Sequence, residues 1–371
     1  MKLKGIFILA LCGGLSWSLQ SQEVPDTDAS HGDVIEAQHV EAIEVEAMNP
    51  GKEMIGHIID AHEWHIVTYK TTHITISLPI LLIYDGQFYA FWSSKFHHGH
   101  ALYKGFGLNE KGHIEHFEAN GQLSAKQPLD FSLTKNAVSL LITTALLLWL
   151  VLSVAKAYKR RGSSKAPTGL QNLMELIIVY IRDTVALPAM DAKHANKYLP
   201  YLLTLFFFIL INNLMGLIPI FPGGANVSGS ISITFTLAML TFLIVNFSST
   251  KNYWGHIFND PGSPWWLKIP LPLMPVVEFV GVITKPVVLM IRLFANMTAG
   301  HIIVMGFIFL IFILGQISPA IGFGVSPISV FFALFISALE LLVSFIQAYI
   351  FTLLTALYIG DAVAEPHHSK K

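Results

Sequence analysis

PVVLMIRLFANMTAGHIIV, residues 286–304, decides how this chain must be read. Arg292 stands in a long apolar run with no Asp, Glu or Lys within six positions. An arginine keeps its charge, because its pKa is above ~12. A charge at the centre of a membrane helix costs about 2.5–3.5 kcal/mol on the insertion scale. A chain holds such a residue where it faces a partner or water. The reading of the remaining sequence turns on what Arg292 faces.

The totals place the run in a membrane. The 371 residues are 53% hydrophobic and 13% charged, against about 25% charged in a soluble domain. A net charge of −1 excludes a generally basic nucleic-acid binder. The one cysteine, Cys12, leaves neither disulfides nor a thiolate metal site for the mature chain. Composition changes near residue 133, from polar and histidine-rich to almost continuously apolar.

The N-terminal third reads as an exported part. Residues 1–22 carry Lys2 and Lys4, a short apolar run and then small and polar residues, the layout of a signal peptide. Residues 23–132 form an extracytoplasmic, histidine-rich domain that begins with an acidic lead. Within HITISLPILLIYDGQFYAFWSS, the alternation and the Asp85-Gly86 turn predict a β-hairpin, and a weak strand is expected around 113–118. His62, His65, His97, His98 and His100 could ligate zinc or copper, or simply form a polar, pH-responsive surface. Their spacing matches no strong zinc motif, and no metal site is assigned.

From 133 to 364 the pattern is an all-α polytopic membrane domain. Residues 137–155 form a first span, followed by Lys156, Lys159, Arg160, Arg161 and Lys165, which mark its cytoplasmic end. Residues 169–187 read as an amphipathic interfacial helix, with Leu170, Leu173, Met174, Ile177, Ile181 and Val185 on its apolar side. Gln171, Asn172 and Glu175 fall on the polar side. Spans follow at 198–221 and 231–247, and a Trp-, Pro- and Gly-rich loop at 249–273. Residues 274–314 and 328–361 are overlong helices. The first would run about 61 Å at ~1.5 Å per residue against a core of ~30 Å. It must tilt strongly, kink at Pro286, or run partly along the interface. Gly315–Pro327 is expected to turn the chain outside the membrane. The total is five transmembrane helices, the last two long and strongly tilted, with a cytoplasmic tail at 365–371.

The last two helices form an antiparallel hairpin in this reading. Glu278, Lys285, Arg292 and Asn296 share roughly one face of the outgoing helix, with His301 further along. Glu340, Ser344 and Gln347 share a face of the returning one. Register brings His301 beside Glu340 and Arg292 beside Gln347 at nearly the same time. Histidine and glutamate, with reference pKa values near ~6.5 and ~4.3, can exchange protons; arginine cannot. Arginine can instead attract a carboxylate that has lost its proton. No acid of this chain is at its level, so a partner should supply one. Asn213 and Ser344 either line a wet path or tie helices together.

RLFANMTAGH (292–301), NLMGLIP (213–219) and IQAYIF (346–351) together resemble the subunit a family of F-type ATP synthase membrane sectors, over roughly residues 135–364. The resemblance implies that Arg292 faces the carboxylate of a rotating c-ring. It implies that Asn296, His301, Glu340 and Gln347 belong to the half-channel on the proton-rich side, and that the inner half-channel opens near Glu278. It also implies an upright first span, two long helices curving along the ring, and a peripheral-stalk b subunit among the partners. Some bacterial members carry an acid at position 301 and a histidine at 340, the pair being kept with its partners exchanged. Some carry Asp where this chain has Gly216. No nucleotide loop of the form GxxxxGK[ST] is present, and no cofactor is expected. Rival readings are a stand-alone ion channel or secondary transporter, disfavoured by the lack of an internal repeat, and a metal-binding sensor anchored by the membrane part.

Overall fold

The computed structural model describes residues 60–364 apart from 70–71, 100, 110–111, 119–121, 162–165, 219–220 and 259–272. The expected signal peptide, the acidic lead and the tail at 365–371 lie outside the described residues. Strands occur between 63 and 130, and the long helices between 135 and 363.

The strand region is more elaborate than one hairpin. β1 (Glu63–Tyr69) pairs with β2 (Thr72–Ser77). β3 (Pro79–Tyr84) pairs with β4 (Gln87–Trp92), and the two meet at Asp85 and Gly86, both with positive φ. That geometry is the tight hairpin turn that Asp-Gly favours. HITISLPILLIY is therefore two strands. Pro79 has no N–H to donate, and the Leu78 N–H turns instead to Ser93 Oγ at 3.1 Å. β5 (Phe106–Leu108) and β6 (Ile114–His116) form a small ladder. β7 (Leu129–Asp130) joins the free edge of β3. Ile80, Leu82, Phe96, Phe106 and Ile114 make the core of this part.

Among the described residues, five helices are long and apolar enough to cross a bilayer. α1 spans Lys135–Arg161. α2 (Leu170–Ile181) continues through a widened π-helical turn at Arg182–Ala186. α3 spans Ala192–Leu217 and starts on Asp191, whose carboxylate caps the His194 N–H. α4 spans Ile231–Ser248. The expected loop at 249–273 contains a helix, α5 (Lys251–Phe258); its eight residues are too few to show a period, and proline and glycine further on masked it. α6 (Leu273–Ile317) and α7 (Pro319–Val363) have 45 residues each. At ~1.5 Å per residue each is about 68 Å long, more than twice a ~30 Å hydrocarbon core.

Two expectations need correction. The turn expected over Gly315–Pro327 does fall there but is far tighter: only Ser318 separates α6 from α7. Pro319 fits the first turn of α7, where its missing N–H costs nothing, and Pro327 is carried inside the helix. Gly322 is there for contact. A Cβ on Gly322 would stand 2.7 Å from the Gly315 Cα, so glycine lets the hairpin close. The second correction concerns α2. Gln171 is buried, whereas Leu170, Leu173 and Leu176 are exposed. Met174 and Ile181 pack inward as expected, but the side with Leu173 and Leu176 is a second apolar face, left open to lipid or a partner.

α7 packs on both α6 and α3, while α4 and α5 lie against α6. Leu202, Phe206, Leu289, Leu293, Met297 and Ile359 are fully or almost fully buried where these helices meet. The Thr234 and Thr236 hydroxyls bond carbonyls of their own helix, as expected.

Candidate functional site

The α6–α7 hairpin aligns the polar residues by register. Nδ1 of His301 on α6 lies 2.6 Å from Oε1 of Glu340 on α7. Nε2 of the same ring lies 3.3 Å from the Gly216 carbonyl, at the end of α3. A carbonyl only accepts, so Nε2 is the protonated nitrogen in this arrangement. One more proton then serves the pair. It sits on Nδ1 and bonds a carboxylate, or on the carboxyl group and bonds a neutral imidazole. Both side chains are largely enclosed. Gly300 forms the floor: a Cβ there would come within 2.7 Å of Glu340 Oε1. Gly216 stands beside the ring, its Cβ position 3.7 Å from Nε2.

The neighbouring polar groups divide into ties and loose ends. The Ser344 hydroxyl donates to the Glu340 carbonyl at 2.8 Å. Asn213 Nδ2 donates to the Ser344 carbonyl at 3.3 Å, which joins α3 to α7. Asn212 is satisfied, accepting from Thr143 on α1 and donating to the Phe208 carbonyl. By contrast, Asn213 Oδ1 is buried with no partner among the described residues.

Arg292 is half-buried on α6, nine residues before His301. Among the described residues it makes neither a hydrogen bond nor an ion pair; the Tyr358 hydroxyl is within its Coulombic reach. Gln347 is buried on α7 and makes no hydrogen bond to Arg292. Asn296 and Glu278 are exposed. The register that predicted the His301–Glu340 contact thus delivers it, but Arg292 and Gln347 are left without a mutual bond.

Beyond Arg292 towards the start of α6 the structure holds a cluster that sequence reasoning missed. Lys285 Nζ lies 3.8 Å from Asp361 Oδ2 and 5.0 Å from the centre of the Tyr358 ring. Burial holds the Tyr253 hydroxyl above its ordinary pKa, and the Asp361 and Glu278 carboxylates push it the same way. Both acids therefore lie near this tyrosine of α5. The available signal was Lys285 itself, a cation on an apolar helix that needed a partner on α7.

The histidines of the strand region form no metal centre among the described residues. His62 lies 3.4 Å from Asp130 without hydrogen-bond geometry. The side chains of His65, His97 and His98, and all of His100, lie outside the described residues.

Residues 137–360 match the family model described as ATP synthase A chain. The chain belongs to the ATP synthase A chain family. The match takes in the hairpin, Arg292 and the His301–Glu340 pair. A protein of Chloroherpeton thalassium named ATP synthase subunit a is 42% identical over 244 residues, covering 64% of this chain and 69% of the relative. ATP synthase subunit a 2 of Chlorobaculum tepidum is 41% identical over 257 residues, covering 68% and 67%. ATP synthase subunit a of Anaeromyxobacter dehalogenans is 40% identical over 248 residues, covering 65% and 60%. Residues 54–131 match a separate family described only as a domain of unknown function, DUF8433. The A chain family match thus leaves the strand region outside it.

Proposed function

We propose that this chain is the stator-side proton channel of a rotary ATP synthase, itself without catalytic activity. Arg292 carries the reading: a permanent cation, half-buried on a membrane helix, to which the described residues offer no acid. A carboxylate on a neighbouring ring of c subunits supplies that acid. Protons enter past His301 and Glu340, the pair that holds one exchangeable proton, with Asn296, Gln347, Asn213 and Ser344 lining the path. They neutralise a ring carboxylate as it leaves Arg292. A neutral acid tolerates lipid and an ionised one does not, so proton transfer and ring rotation are obligatorily coupled. The proton leaves on the other side near Glu278, beside Lys285. Each charge crossing 100 mV carries about 2.3 kcal/mol, so several pass for each ATP made elsewhere in the complex.

The arrangement in the cell follows. A signal peptide at 1–22 sends the domain at 23–132 out of the cytoplasm. The membrane domain at 133–364 spans the bacterial inner membrane, and the tail at 365–371 is cytoplasmic. A peripheral-stalk b subunit holds the chain still against the ring. The test is purification and reconstitution. The chain should co-purify with a ring of small hairpin subunits and pump protons on ATP addition only as part of that assembly. Proton conduction by the purified chain alone would replace this reading with a free-standing channel.

A further inference from the structure

The sheet of β3, β4 and β7 is largely apolar on both faces, with Gln87 and Asp130 at the margin of the core side. Ile80 and Leu82 on one face are fully buried in the core. Strand register fixes what the other face shows. Ile83 stands between Phe88 and Leu129, Leu81 beside Ala90, and Pro79 beside Trp92. The ladder continues past β7, since the Phe131 N–H donates to the Leu81 carbonyl and the Leu133 N–H to the Pro79 carbonyl. Paired residues project to the same side, and alternate residues of a strand do too. The face is therefore three rows of three apolar residues without a charge. It is open: Phe88 is 65% exposed, Trp92 59%, Leu129 62% and Phe131 62%. A sheet apolar on both faces is normally one covered on both, and a contiguous exposed patch marks a protein or membrane contact.

The tether says which. Only Thr134 separates Leu133 from Lys135, the first residue of α1. Trp92 lies two strands across from Leu133, about 10 Å at a strand spacing of ~4.8 Å. The row with Phe88 is about 13 Å further on, four residues at ~3.3 Å. The nearest row is thus at the depth where a bilayer passes from acyl chains to head groups, a zone in which tryptophan and other aromatic rings concentrate. Leu141, Leu148, Trp149 and Leu152 of α1 are exposed as well, as a lipid-facing helix requires. A second attachment keeps the strands at this end of the bundle: Trp64 of β1 packs edge-on against Phe221, 5.0 Å between ring centres, and against Ala225 and Val227 in the α3–α4 connection.

We propose that this sheet face is a lipid-docking surface, seated on the bilayer beside the start of α1. The strand region is then a second, peripheral membrane contact, separate from the proton path.

The test uses the full chain in vesicles of phosphatidylcholine and phosphatidylglycerol, with Cys12→Ser removing the native thiol. Single cysteines replace Trp92, Phe131, Ala90 or Lys104 and carry a fluorescent label. Ala90 keeps every aromatic anchor in place, and Lys104 lies away from this face, next to β5. Spin-labelled lipid should quench labels at 90, 92 and 131 about twofold more than at 104, as expected for a face sunk ~5–10 Å into the interface. Iodide in the water should do the reverse. Equal iodide quenching at all four positions would overturn the proposal, the face being open to water. Protection of position 90 from both quenchers, in the assembled complex or outside it, would overturn it too, because the occupant is then protein.

Discussion

Gly300 and Glu340 approach so closely that a methyl group at position 300 would stand 2.7 Å from the carboxylate oxygen that faces His301. Gly300→Ala should therefore leave the helix intact, alanine being the better helix former by about 1 kcal/mol. It should push the carboxylate off the imidazole. Losing a charge-assisted bond of about 1.5–3 kcal/mol corresponds to a tenfold or greater fall in ATP-driven proton pumping. Normal pumping in inverted vesicles that contain the full amount of complex would show that the contact is not used.

Arg292→Ala should abolish ATP-driven proton pumping while the complex still assembles. The variant removes a charge that no described residue pairs with, so it leaves no orphaned acid inside the chain. Pumping at the wild-type rate would remove the arginine from the mechanism.

The geometry at His301 and Glu340 concerns one shared proton more than either residue's identity. His301→Glu and Glu340→His singly should each cost most of the activity, because two acids or two bases then face each other. Both changes together should restore part of it. A double variant no better than the worse single one would argue against a shared site.

Gly315 and Gly322 sit opposite each other at the hairpin but differ in what surrounds them. A Cβ on Gly322 would meet backbone at 2.7 Å, whereas one on Gly315 meets open space. Gly322→Ala should lower thermal stability by about 1–3 kcal/mol, the usual cost of overpacking. Gly315→Ala should be neutral. Unfolding midpoints of the two variants in detergent decide it, and equal midpoints would contradict the packing.

The N-terminus of α3 should be sensitive to acid. The hydrogen bond from the His194 ring to Asp191, 2.5 Å long, holds that carboxylate below its ordinary pKa. A pKa lowered in the folded state stabilises above the unfolded value of ~3.9 and fades as pH falls through the lowered one. Asp191→Ala should lower the unfolding midpoint at neutral pH and make no difference in strong acid. Asp191→Asn should keep most of the cap.

Much of this was legible in the chain itself. Long apolar runs placed the five crossing helices, and antiparallel register alone brought His301 to Glu340. What escaped was of another kind. Gly315, Gly322 and Pro327 look like breakers because sequence shows their lack of side chain or N–H, and for Gly322 it hides the Gly315 backbone that needs the space. The Lys285–Asp361 contact gave no sign in the sequence, since it stands more than a turn out of the register that pairs His301 with Glu340 and is reached by the long lysine side chain. Gln171 was assigned to the wet side of α2 by helical period, which knows only one buried face. The strand count was low for a similar reason: Pro79 divides one apolar stretch into two strands, and the two-residue β7 is too short to leave a pattern.

Ser318 has a consequence far from itself. It is the whole joint between two rods, so an extra residue has nowhere to be absorbed. One insertion there would advance α7 by about 1.5 Å and swing it by about 100°, turning Glu340 away from the imidazole. The joint acts as a gauge block: a machining tolerance at one tip of the hairpin sets whether a proton can hop at a point roughly 25–33 Å down its length.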